Sequence, residues 1–136
     1  MQFLLDNILT LLITFLSGSM LLWSYFGNRI LGVKEVDTMR AMQLINRSNA
    51  LVLDVREQIE YDSGHIINSR LIPAPQLKER IGELEKYRSR PIVVVCRVGS
   101  RAAPLTSWLG KQGFNQAYLL AGGLQAWQKA KLPLEK

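Results

Sequence analysis

The 136 residues contain one cysteine, Cys96, and one histidine, His65. A lone cysteine leaves no internal disulfide and no Cys-x-x-Cys redox pair. With a single histidine beside it there is no Cys/His set for a structural zinc. A solitary thiol suits a reducing compartment. Charge is also missing from one long stretch. Residues 7–28 run for 22 positions without Asp, Glu, Lys or Arg. At the helical rise this spans roughly 33 Å, enough to cross a hydrocarbon core of ~30 Å. No charged stripe marks a water-facing side, so a helix in a soluble core is excluded. Trp23, Tyr25 and Phe26 crowd its far end, where aromatic rings favour the lipid–water boundary.

A cleaved signal peptide opens with a basic stretch and closes on small residues. Here Asp6 is the only early charged side chain, and the apolar run continues past Gly18 and Ser19. An uncleaved anchor is therefore expected. No Lys or Arg precedes it, whereas Arg29, Lys34, Arg40 and Arg47 follow. Basic flanks stay on the cytoplasmic side, which predicts a single-pass protein of the inner (cytoplasmic) membrane with its N-terminus outside and its domain in the cytoplasm. The expected division is a tail over 1–6, a transmembrane anchor over 7–28, a linker over 29–34 and one domain over 35–136.

All 17 basic residues lie after the anchor, as do all of the 11 acidic ones except Asp6. A basic surface suits anionic headgroups or small anionic substrates. The charges form no run and do not interleave with aromatics, so nucleic acid is not an expected partner.

Within the domain, short apolar runs alternate with helical patterns. Lys34–Val36 reads as an edge strand, followed by a helix that Asp37 caps and that packs through Met39, Met42, Leu44 and Ile45. Strands are expected at Leu51–Val55, Arg70–Ile72, Pro91–Val95 and Ala117–Leu120. A single helical turn is expected over 58–62, and helices over 76–87, 101–111 and 124–130. This alternation predicts an α/β fold with a central, mainly parallel sheet flanked by helices.

The most informative stretch is Val95-Cys96-Arg97-Val98-Gly99-Ser100-Arg101, between the best strand and a helix. Ligands of parallel α/β sheets bind at the carboxyl ends of strands. Backbone N–H groups of a loop entering a helix converge there and favour negative charge. Arg97 and Arg101 add two cations, and Gly99 allows a tight curl. Such a cradle fits a thiolate, a persulfide or a small oxyanion. Asp54 and Arg56, at another strand end, are read as supporting residues that contact substrate or fix the loop by an ion pair. His65 is read as structural, and Trp108 and Trp127 as core.

Here the sequence resembles a known family. Cys96-x-x-Gly99-x-Arg101 is similar to the active loop of rhodanese domains. Leu53-Asp54-Val55-Arg56-Glu57, Glu60-Tyr61 with Gly64-His65-Ile66, and Gly122-Gly123-Leu124 with Trp127 resemble further family segments in order and spacing. The likeness spans Glu35 to Pro133 and, anchor included, resembles the single-span membrane rhodaneses of bacteria. One departure is Ile67-Asn68-Ser69, where the family often has Pro-Gly-Ala. The resemblance implies a rhodanese-like domain and a sulfurtransferase. Cys96 would take a sulfane sulfur from thiosulfate or a persulfide and pass it to a thiol or cyanide, with no metal and no organic cofactor implied. Arg97, Val98, Gly99, Ser100 and Arg101 would form the substrate loop. Two rivals stand beside it. One is a membrane-tethered interaction module docking a membrane protein partner. The other is a small-oxyanion phosphatase or arsenate reductase, whose loop typically holds five residues between Cys and Arg where this one holds four, 97–100.

Overall fold

The computed structural model describes residues 1–30 and 33–136, with no side-chain placement for 27–30. The chain forms two compact units, Met1–Gly32 and Val33–Lys136. The first unit is helical: α1 spans Gln2–Asp6, Asn7 interrupts it, and α2 spans Ile8–Ile30. Residues Ile8–Phe26 are long and apolar enough to cross a membrane, with mean hydropathy 1.7 and none of the stretch buried against protein. The expected linker over 29–34 begins late, because Arg29 and Ile30 are still helical. Leu31 and Gly32, also assigned to it, lie outside the described residues. Gly27 costs only about 1 kcal/mol inside a helix, too little to stop a cooperative helix of this length.

The second unit is built on a five-stranded parallel sheet in the order β1-β6-β5-β2-β4. Its strands are β1 (Glu35–Val36), β2 (Leu51–Asp54), β4 (Arg70–Leu71), β5 (Ile92–Val95) and β6 (Ala117–Leu120). β5 lies at the centre and is buried throughout. The two-residue period of a strand splits its side chains. Val93 and Val95 join the cluster under α3 (Thr38–Ser48) and α6 (Gly123–Lys129). Ile92 and Val94 join the cluster under α5 (Ala102–Lys111). Both faces are covered, as the unbroken β-branched run requires. Asp37 caps α3, its carboxylate accepting the Arg40 N–H at 2.7 Å, and Asn49 closes that helix in the left-handed region.

Two expectations need correction. The segment 76–87 is not an α-helix but two 3-10 pieces, Ala74–Gln76 and Ile81–Tyr87, separated by a turn over 77–80. Ile81, Leu84 and Tyr87 all reach the core. Their spacing of three matches the three residues per turn of a 3-10 helix rather than 3.6. Met39 does not pack, being 69% exposed in the first turn of α3; Ala41 and Leu44 carry that helix's buried face. The structure also adds a small antiparallel sheet that the sequence pattern does not announce. It pairs β3 (His65–Ile66) with β7 (Leu134–Glu135), after α4 (Gln58–Asp62).

Glu83 ties the 3-10 segment to β4, meeting Arg80 at 2.6 Å and Arg70 at 2.8 Å. The two guanidinium groups, Arg80 foremost, lower its carboxyl from 4.5 to about 2. A carboxylate depressed on folding stabilises above its unfolded value and loses that contribution as pH falls through its folded one. The exposure of the site keeps the effect small. Wild type should therefore exceed Glu83→Gln in urea midpoint at neutral pH, with the gap closing between pH 4.5 and about 2.

Candidate active site

β5 delivers Cys96 to the carboxyl edge of the sheet, at its centre. The residue is 1% exposed. It sits at the base of a cavity of about 330 Å³ lined by Arg97, Val98, Ser100, Arg101 and Gln125. The Gly99 N–H donates to Cys96 Sγ at 2.9 Å. Gly99 adopts φ 98°, a left-handed conformation that side chains rarely take, and this curls the loop back over the sulfur. The Gly99 carbonyl then accepts from Ala103 N–H at 3.2 Å as α5 begins.

The loop is held from the other side by α6. Leu124 N–H donates to the Cys96 carbonyl at 2.8 Å, and Gln125 N–H to the Arg97 carbonyl at 3.1 Å. Free N–H groups at a helix start need acceptors, and here the cysteine loop supplies two. The contact is close enough that Gly123, at φ 59°, has no room for a side chain. A Cβ there would overlap the Cys96 carbonyl oxygen and come within 2.8 Å of the Arg97 carbonyl group. Those obstacles are backbone and cannot swing aside. Gly123→Ala is expected to cost about 2 kcal/mol of stability through overpacking and left-handed strain. Gly82→Ala, with nothing within 4 Å of its added carbon, should leave stability nearly unchanged in the same melts.

Of the two arginines, Arg97 is exposed and engages no acidic side chain among the described residues. Arg101 is tethered by one long contact, Nη1 to Glu60 Oε1 at 3.4 Å. Glu60 also closes the cap of α4, accepting the Glu57 N–H at 3.3 Å. Asp54 and Arg56 do not line the cavity. They form a buried pair, 1% and 4% exposed, with Arg56 Nη2 at 2.7 Å and Nε at 2.9 and 3.0 Å from the carboxylate. The same guanidinium donates to the carbonyls of Glu60 at 3.2 Å and Gly64 at 2.8 Å. The pair thus braces α4, and α4 carries the Glu60 that reaches Arg101.

His65 also stays outside the cavity. Its ring stacks on Tyr61 at 3.7 Å, with Nδ1 at 2.8 Å from the Tyr61 carbonyl and Nε2 at 3.2 Å from Glu135. Trp127 is core, its indole N–H donating to Pro133 O at 3.1 Å. Trp108 is only partly buried, under Lys78. Sequence reasoning misses Gln125 and the roles of Glu60 and Gly123. The Gly122-Gly123 pair signals a turn, but nothing local shows that the turn abuts the cysteine loop. Among the described residues no cluster of His, Cys, Asp and Glu is suited to a metal ion.

Comparison with known proteins agrees with this arrangement. Residues 38–130 match the family described as Rhodanese-like domain. The chain is 35% identical over 103 residues to the uncharacterized protein YibN of Escherichia coli (strain K12), covering 75% of this chain and 72% of that one. It is 28% identical over 97 residues to the thiosulfate sulfurtransferase GlpE of Pseudoalteromonas translucida (strain TAC 125), covering 71% and 90%. A crystal structure of a rhodanese-related protein from Thermoplasma volcanium superposes with TM-score 0.69 at 30% identity, over 75% of this chain and 97% of that chain. The fold expected from the Cys96 loop and its companion motifs is thus the one found, and the chain belongs to the family of rhodanese-like domains.

Proposed function

We propose that this protein is a membrane-tethered sulfurtransferase that carries a sulfane sulfur on Cys96. The observation that supports it most is the Cys96 sulfur itself, under a backbone N–H and at the base of a cavity bordered by Arg97 and Arg101. The Cys96 thiolate attacks the outer sulfur of thiosulfate. A new S–S bond forms, the old one breaks, and sulfite leaves with its electron pair. A persulfide donor reacts likewise and releases its own thiolate. In the second half-reaction an acceptor thiolate or cyanide takes the outer sulfur and returns Cys96 as thiolate. The covalent intermediate predicts ping-pong kinetics.

The chain's residues divide the work. The Gly99 N–H stabilises anionic sulfur, as oriented donors do where charge develops. Arg97 and Arg101 draw in the anionic donor, and Val98 and Ser100 complete the wall. Asp54 and Arg56 act as positioning residues through α4. The anchor over 7–28 holds the domain over 35–136 at the cytoplasmic face of the inner membrane, as the flanking basic residues favour.

The test is intact mass spectrometry of the full chain in detergent after incubation with thiosulfate. One added sulfur atom per chain is expected, released by cyanide as an equal amount of thiocyanate. No added sulfur from thiosulfate or from a small persulfide, with Cys96 still open to alkylation, would sink the proposal.

A further inference from the structure

The unit Val33–Lys136 hides its apolar side chains well, with four large exceptions among the described residues: Met39, Ile59, Ile67 and Val98. Their placement follows a rule. Met39 stands three residues beyond β1, Ile59 five beyond β2 and Val98 three beyond β5. Ile67 stands apart, in the turn before β4, where the β2–β4 register runs toward the amino ends of the strands. In a parallel sheet all carboxyl ends share one edge, so Met39, Ile59 and Val98 gather at the pole where Cys96 sits. Two contacts tie them to the site. Ile59 precedes Glu60, whose carboxylate meets Arg101. Val98 is in the cavity wall. β1 pairs with β6, which leads into the α6 turn bonded to the Cys96 loop.

We infer that the Cys96 pole is a docking surface for a protein that offers a cysteine flanked by acidic and apolar residues. The inference rests on the sulfur-transfer reading and names the class of its acceptor. A small anion uses Arg97 and Arg101 but has no use for Met39 at 69% or Ile59 at 78% exposure. A polypeptide covers such side chains, and a protein interface joins apolar contacts to polar and charged ones at its rim. Arg97, without an acidic partner among the described residues, calls for one on the incoming surface. Transfer balances without an oxidant. The partner thiolate attacks the outer sulfur of the Cys96 persulfide, the S–S bond to Cys96 breaks, and Cys96 leaves as thiolate while the partner becomes the persulfide.

The experiment uses the full chain in phosphatidylcholine nanodiscs and two synthetic peptides of equal length. Each has one cysteine, flanked in one by aspartates and leucines and in the other by lysines and serines. Affinity is read by fluorescence anisotropy with the cysteines replaced by serine, and transfer with them intact. The Asp/Leu peptide is expected to bind and to accept sulfur about tenfold better. The double variant Met39→Ser/Ile59→Ser should lose about that factor and leave thiocyanate formation unchanged. Equal behaviour of the two peptides, or a variant that slows thiocyanate formation equally, would overturn the docking surface. So would loss of peptide binding when phosphatidylglycerol replaces phosphatidylcholine, which would make the pole a lipid-facing one. Peptide discrimination in the absence of any thiocyanate formation would sink sulfur transfer and leave the docking surface standing.

Discussion

Cys96→Ser is expected to reduce thiocyanate formation by about 10³-fold or more, the scale on which covalent enzymes lose activity without their nucleophile. There is no second cysteine to take over. The fold should survive. Cys96 is packed into the core on the α5 side of the sheet, and a serine oxygen accepts the Gly99 N–H as the sulfur does. Burying a hydroxyl in place of a thiol costs on the order of 1 kcal/mol. The thermal melt should therefore stay cooperative and shift by only a few degrees. The mass gained from thiosulfate should vanish with the activity. A serine variant that still forms thiocyanate would place the sulfur chemistry outside this loop.

The Cys96 loop is legible in the sequence because its signals are local. A β-branched strand, a cysteine, a glycine two positions short of an arginine and a helix all lie within 92–111. The same holds for Asp37, whose capping role depends on a neighbour three residues away. Features that depend on distant partners or on fine geometry are not legible. β3 and β7 are two residues each and meet across the length of the domain, too short to show a period. The 3-10 character of 81–87 differs from an α-helix by a fraction of a residue per turn, and its apolar positions fit both until the core selects one. Gln125 enters the cavity only because α6 caps the Cys96 and Arg97 carbonyls. Asp54 and Arg56 stand out in the sequence as two opposite charges at a strand end, which leaves both a substrate contact and an ion pair open. Their geometry is that of the ion pair. Their charges turn inward to each other and to backbone, not toward the cavity.

That inward geometry leads to the largest expected effect on stability. Arg56→Ala would strand the Asp54 carboxylate in a site that is 1% exposed and would release the Glu60 and Gly64 carbonyls as well. Removing one member of a buried pair costs about 3–5 kcal/mol; here the remaining charge keeps only the backbone N–H of residue 56, at 3.0 Å, and no opposite charge. Domains of this size hold only about 5–15 kcal/mol in all, so the urea midpoint should fall steeply. Arg56→Lys should recover part of the loss, since an ammonium keeps the charge but cannot fork across both carboxylate oxygens while reaching two carbonyls. The apolar double variant Asp54→Leu/Arg56→Met separates the two roles of the pair. Without an orphaned charge it should be more stable than Arg56→Ala, by a coupling that a double-mutant cycle measures. It should not restore the site, because nothing then ties Glu60 and Gly64 to the end of β2 and Arg101 loses its tethered partner. A raised KM for thiosulfate in a well-folded double variant would assign the pair to positioning. A wild-type KM there would confine Asp54 and Arg56 to stability alone.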